Sequence, residues 1–242
     1  MKGKYAINIK KAALTMQGHD CLKIPSFQVR NGETVLIHGE NGSGKTLLLK
    51  MLAGLMVPDS GQVRVFNTPL NELKKGHRDT FRAKHMGIVF QQLHLLPYLP
   101  ALQNIILPLG FSECRKEHVK HSHTTPEFEA YQLMARLKLE DPKRLQIAAE
   151  QLSIGLQQRI AVARALMGAP NLILADEPAS SLDTAGKQIV FRFLVEYCRE
   201  HNSTLVCISH DHGAIDGEKS QCFDRTIDMA DINSVSQVNP LW

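Results

Sequence analysis

The stretch GENGSGKT, Gly39 to Thr46, has the residue types of a phosphate cradle. Glycines let backbone N–H groups turn inward around phosphate oxygens, and a helix beginning just after them points its positive end at the same place. Lys45 is placed to neutralise β and γ phosphates. Thr46 offers a hydroxyl to Mg²⁺, a hard ion that takes few protein ligands and completes its shell with phosphate and water. In NLILADEP an apolar run ends in two adjacent carboxylates, Asp176 and Glu177. Asp176 suits a magnesium ligand held through water, and Glu177 suits the polarising of a water that attacks a γ-phosphate. TLVCISHD repeats the design and ends at His210, a candidate γ-phosphate sensor. IVFQQ places Gln91 at another such end, where a neutral amide can touch both Mg²⁺ and the attacking water.

Groups scattered over 170 positions meet only if one scaffold gathers them. Apolar or alternating runs at 5–9, 34–38, 62–65, 87–90, 172–175 and 204–209 read as strands. Ligands of parallel sheets collect at the carboxyl ends of the strands, which is where each polar group falls. The phosphate stretch sits between TVLIH and LLLKMLAGL, the strand, loop and helix order it requires. Between 90 and 172 the chain is mainly helical. In TPEFEAYQLMARLKL, Thr125 is the expected N-cap, Pro126 opens the first turn, and Phe128, Tyr131 and Ala135 form an expected apolar stripe. Composition is that of an ordinary folded domain: 43% of the 242 residues are hydrophobic and 21% charged. The net charge of +4 is spread rather than gathered, which disfavours nucleic acid as a partner. Five scattered cysteines without a CxxC pair argue against disulfides and structural zinc, and fit a reducing cytosol. His118, His121 and His123 lack a carboxylate or cysteine to complete a ligand set and read as polar surface. No stretch has the length of a membrane span, and no apolar segment follows the charged N-terminus, so any membrane role is expected to come through a partner.

Taken in order, GENGSGKT, VFQQ, LSIGLQQR, LILADEP, SSLD and ISHD resemble the ATP-binding cassette (ABC) ATPases over almost the whole chain. The resemblance implies an α/β fold: a P-loop NTPase (RecA-like) core with a mainly parallel sheet, an antiparallel β subdomain and a helical insertion. The core would span about 1–91 and 167–242, and the helical subdomain about 92–166. It implies ATP and Mg²⁺ as cofactors, with Gly39, Asn41, Gly42, Ser43, Gly44, Lys45 and Thr46 as the Walker A loop. Gln91 belongs to the Q-loop, Asp176 is the Walker B magnesium carboxylate, Glu177 the catalytic glutamate, and His210 the switch histidine. Two cassettes would pair head to tail as a homodimer, with Ser153 and Gly155 of the signature and Asp183 of the D-loop facing the partner. The segment GIVFQQLHLLPYLPALQNIILPL is most similar to the subgroup serving lipoprotein-release, macrolide-export and cell-division permeases. That implies a peripheral subunit on the cytoplasmic face of the inner membrane. A permease coupling helix would then dock between Gln91 and the helical insertion, where Leu93, Leu95, Leu96, Tyr98 and Leu99 line either that groove or the insertion core. The alternative within the subgroup is a regulatory cassette that signals through a membrane partner without moving a solute.

The sequence departs from the family in two places. The usual LSGGQ reads LSIGL, so Ser153 and Gly155 are kept while Ile154 requires a negative φ and Leu156 lacks a polar side chain. The expectation is a working but weaker sandwich. Between Lys11 and Ile24 no aromatic residue is available to stack on adenine, which leaves Met16 or His19 and predicts poor discrimination of ATP from GTP. The final 223–242 segment reads as a last strand and a short tail, with Trp242 unassigned.

Overall fold

The computed structural model describes residues 4–139, 141–210 and 222–235. Its centre is a five-stranded parallel sheet in which β6 (Met86–Val89), β7 (Leu172–Asp176), β8 (Thr204–Ile208), β3 (Thr34–His38) and β9 (Arg225–Asp228) lie in that spatial order. The strands are apolar because both faces are covered. Alternation along each strand sorts residues to opposite faces. Leu36, Ile173, Ala175, Leu205 and Cys207 enter one core, while Val35, Ile37, Leu172, Leu174, Val206 and Ile208 enter the other.

The second of these cores packs α1 (Lys45–Leu52) and an antiparallel sheet, ordered β2 (His19–Arg30), β1 (Tyr5–Met16), β4 (Ser60–Val65), β5 (Thr68–Pro69). Strand β1 runs well past the expected 5–9, and β2 lies where sequence periodicity gave no strand. Pro25 explains the omission. It lacks the N–H a central strand needs, but β2 is an edge strand, where a proline is tolerated. The expected final strand is β9, followed by a single helical turn, α8 (Met229–Ile232); Trp242 lies outside the described residues.

The first core is covered by α3 (Ala101–Ile106), α4 (Glu113–His121), α5 (Pro126–Arg136), α6 (Ile154–Leu166) and α7 (Thr184–His201). Helix α2 (Lys75–His85) leads into β6. Thr125 caps α5 as expected, accepting from the Phe128 N–H at 3.2 Å. The buried face of α5 is not the expected stripe, however. Ala130, Leu133 and Met134 are buried, whereas Phe128 is 56% exposed and Ala135 is also on the surface. Residues 130, 133, 134 and 137 follow the i, i+3, i+4, i+7 spacing as an unbroken apolar stripe, whereas the 128, 131 and 135 set, at i, i+3 and i+7, is interrupted by Gln132 at i+4.

Two devices fix α6 and the segment after β6. Gly87 has no Cβ because the Ala165 carbonyl of α6 occupies that space, so edge strand and helix meet backbone to backbone. Arg115, 3% exposed, donates to the Met86 and Ala165 carbonyls at 2.9 and 3.4 Å, and burial lowers its pKa to about 10. The loop between β6 and α3 is organised by Asn104, which is fully buried. Its Oδ1 accepts from Leu96 N–H at 2.8 Å, and its Nδ2 donates to the carbonyls of Leu96, Leu99 and Pro100. Replacing Asn104 by Ala strands buried backbone groups, and we expect a loss of about 1–3 kcal/mol in unfolding free energy, measured as a lower urea midpoint with an unchanged slope.

Candidate functional site

Four adjacent strands of the parallel sheet deliver polar groups at one edge. The loop Gly39–Gly44 follows β3, Asp176 ends β7 with Glu177 next to it, His210 follows β8, and Gln91 lies two residues beyond β6. The strand register, which sets Asp176 beside Ile208 and Val89 beside Ala175, brings these ends level.

The loop fits a polyphosphate by shape and by donors. Gly39, Gly42 and Gly44 have φ of 143°, 77° and 96°. At Gly44, the N-cap of α1, a Cβ would meet Leu22 Cδ2 at 2.7 Å, so a side chain is excluded both by conformation and by space. Lys45 is 5% exposed, and its ammonium donates to the Gly39 and Glu40 carbonyls at 2.8 and 2.6 Å. Burial lowers its pKa, opposed by Glu177, Asp176 and Asp228. Asp176 is also buried, and burial raises its pKa against a hydrogen bond from the Thr46 hydroxyl. A carboxylate and a hydroxyl held together in this way are the hard oxygen set that Mg²⁺ takes.

Glu177 is an outlier with a physical cause. Its φ of 51° lies in the left-handed region, a conformation that costs a non-glycine residue of order 1–3 kcal/mol and persists only where the surroundings over-determine it. Three contacts do so. The Glu177 N–H donates to the Ile208 carbonyl at 3.1 Å, its own carbonyl accepts from Gln158 Nε2 at 3.0 Å, and its Oε1 accepts from the His210 N–H at 2.7 Å. His210 Nε2 lies 3.1 Å from the same oxygen. Burial, then Lys45, lowers the His210 pKa against Asp176, which favours the neutral imidazole.

The structure thus brings together Gly39 to Thr46, Asp176, Glu177 and His210. Asn41, Gly42 and Gln91 are exposed at the same edge. Ser153 and Gly155 lie elsewhere, at the start of α6. They line a hollow with Lys138, Arg159 and Leu182, and the Ser153 side chain makes no capping bond to its own helix. Ile154 has the negative φ it needs, as the first residue of α6. Leu156 is 8% exposed and packed in the core, so at this position packing stands where a polar contact was expected. Asp183 caps α7 by accepting from Gly186 N–H at 2.8 Å. Met16 and His19 face one another at the closing pair of the β1–β2 hairpin. Among the described residues no group of three metal-ligating side chains forms around His118, His121 and His123.

Two supporting residues were given no role by the sequence. Asn233 is 4% exposed, and its Nδ2 donates to the Ser43 carbonyl at 3.0 Å while its Oδ1 accepts from Lys23 N–H at 2.8 Å, tying the phosphate loop to β2. Gln158 reaches Glu177 from α6. Both are buried amides, and the sequence carried no signal that separates them from surface amides.

The ABC transporter family model matches residues 22–180. The chain is 36% identical over 203 residues to the lipoprotein-releasing system ATP-binding protein LolD of Xylella fastidiosa, covering 84% of this chain and 79% of that protein. It is 41% identical over 183 residues to the uncharacterized ABC transporter ATP-binding protein YbbA of Escherichia coli K12, covering 76% of each. Among solved structures it superposes with a TM-score of 0.79 on the dimeric ATP-binding cassette MJ0796 in a post-hydrolysis state bound to ADP and Pi, at 29% identity and 94% coverage of both chains.

Because its pKa is raised, Asp176 holds a proton more readily in the folded chain than in the unfolded one. Its charge therefore costs stability that is absent below the ordinary carboxylate range and grows as pH rises through the raised value. Asp176→Asn is expected to raise the unfolding temperature of the nucleotide-free protein at about pH 7.5, with the difference closing as pH falls to about 4. A lower unfolding temperature at the higher pH would contradict this.

Proposed function

Because the chain belongs to the ABC transporter family, as an ATP-binding, ATP-hydrolysing subunit, we propose that it powers a separate membrane permease by ATP-dependent head-to-tail dimerisation. The observation that carries the reading is the convergence of Lys45, Thr46, Asp176, Glu177 and His210 at one sheet edge, with Ser153 exposed and Gly155 half-buried at the start of α6, where both line a separate hollow. A site split in this way is completed when Ser153 and Gly155 of a second copy approach the γ-phosphate. The dimeric state of the solved cassette MJ0796 supports the same arrangement.

In this reading the loop Gly39–Gly44 wraps the phosphates and Lys45 turns from its own loop carbonyls to the β and γ phosphates. Thr46, Asp176 and Gln91 would hold Mg²⁺, which supplies charge neutralisation at the phosphates when bound. Glu177 orients and polarises water, and His210, neutral at physiological pH, holds the Glu177 carboxylate and senses the γ-phosphate. Asp183, already fixed as a helix cap, lies on the face turned to the second copy. The residues flanking these elements divide into a nucleotide-binding core, about 1–91 and 167–242, and a helical subdomain, about 92–166.

Among the described residues no helix is long and apolar enough to cross a membrane. In this reading the permease is a separate chain and the cassette sits peripherally at the cytoplasmic face of the inner membrane, which the likeness to an ATP-binding protein of a lipoprotein-releasing system supports. Its docking surface would be the groove where Phe90, Leu107 and Pro108 meet, with Phe111 71% exposed at its rim. Tyr98 is 69% exposed, whereas Leu95 is half-buried and packs against the core. The likeness to LolD supports a permease of the lipoprotein-releasing kind.

The test pairs ATP hydrolysis with light scattering on wild type and Glu177→Gln. We expect turnover in the wild type and, in the variant, a dimer that forms only with ATP while turnover falls by two or more orders of magnitude. A Glu177→Gln chain that stays monomeric at saturating ATP would contradict the dimerisation step.

A further inference from the structure

Helix α6 carries two adjacent glutamines with different duties. Gln157 donates to the Leu152 carbonyl at 2.8 Å and serves the start of its own helix. Gln158 is 1% exposed and directs every bond it makes to the segment after β7. Its Nε2 donates to the Glu177 carbonyl at 3.0 Å and to Ser180 Oγ at 3.2 Å, and its Oε1 accepts from the Ser181 N–H at 2.9 Å. The carboxamide thus spans both ends of the turn from Glu177 to Ser181. A shorter amide would not bridge it, and an apolar side chain would take this partner from the buried Glu177 carbonyl and from the Ser181 N–H.

We propose that Gln158 is a positioning residue for hydrolysis, holding the Glu177 peptide in its left-handed conformation so that the carboxylate stays on His210. The inference rests on the reading of Glu177 as the water-polarising group. Ser153 occupies the N-cap position of the same helix five residues earlier, and Gly155 lies in its first turn. A movement of α6 that follows contact between Ser153 and a partner's nucleotide is transmitted through Gln158 to the chain's own Glu177. One rigid helix in this way links the site a cassette completes in its partner to the site it carries itself, with Gln158 as the contact that sets the catalytic geometry.

A double-mutant cycle tests this. Gln158→Met keeps length and volume but removes the donor and the acceptor. ATP turnover, the KM for ATP and unfolding temperature are measured for full-length wild type, Gln158→Met, Glu177→Gln and the double variant, with single-turnover conditions for the slow chains. A residue acting through Glu177 loses its effect once Glu177 is changed. We expect Gln158→Met to lower kcat ten-fold or more with KM within two-fold of wild type, and to change the residual turnover of Glu177→Gln by less than two-fold. An equal fold-loss in both backgrounds, or an unchanged kcat, would overturn the role of Gln158 while leaving that of Glu177 intact. Wild-type turnover in Glu177→Gln alone would overturn the reading of Glu177 and the inference with it. Should Gln158→Met fail to fold, Gln158→Asn substitutes. It keeps the amide but is one methylene too short to bridge from Glu177 to Ser181, so the same loss is expected, and wild-type turnover would overturn the proposal.

Discussion

The site depends on keeping three ionisable groups, Lys45, Asp176 and Glu177, almost out of water at one edge of a sheet. Burial works against the charged forms of Lys45 and Asp176, and their mutual attraction only partly offsets it. Two carboxylates against one ammonium leave a negative excess, which a divalent cation is suited to balance. In the proposed function the glycine loop and the exposed imidazole at the same edge would let phosphate enter beside that cation. The hydrophobic layers on both sides of the sheet keep the charges close together and poorly solvated, and this strengthens every interaction among them.

Helix α6 extends that constraint beyond the pocket. At its start Ser153 and Gly155 face a hollow, one turn on Gln158 holds Glu177, and near its end Arg164 donates to the carbonyls of Leu93 and His94 at 2.5 and 2.7 Å, just after Gln91. Gly87 and Arg115 then lock the last turn against β6. A helix of 13 residues therefore touches three of the loops that the family uses, without a break in its hydrogen-bonded backbone.

The motif residues were legible in the sequence because their chemistry demands particular types after particular strands. The strand ends in GENGSGKT, LILADEP and ISHD could be read directly. Strand β2 was missed because Pro25 argues against a strand unless its edge position is known, and that position is a property of the assembled sheet. The buried face of α5 was misjudged because Phe128 outweighs Ala130 in any reading by hydrophobicity, while the geometry of α3 and α6 selects the smaller residue. Gln158, Asn104 and Asn233 were unreadable for a related reason. A buried amide and a surface amide look alike in a sequence, and only tertiary partners tell them apart. At position 156 the sequence shows the lost polar side chain, and only the structure shows the leucine packed into the core.

The central claim is that buried charge at the carboxyl edge of this sheet binds Mg²⁺-ATP through Lys45. Titration calorimetry of Mg²⁺-ATP into the Glu177→Gln chain, beside the same chain carrying Lys45→Ala, tests it without interference from hydrolysis. The account predicts at least a ten-fold weaker affinity when Lys45 is removed, which corresponds to about 1.4 kcal/mol. Equal affinities in the two chains would contradict it.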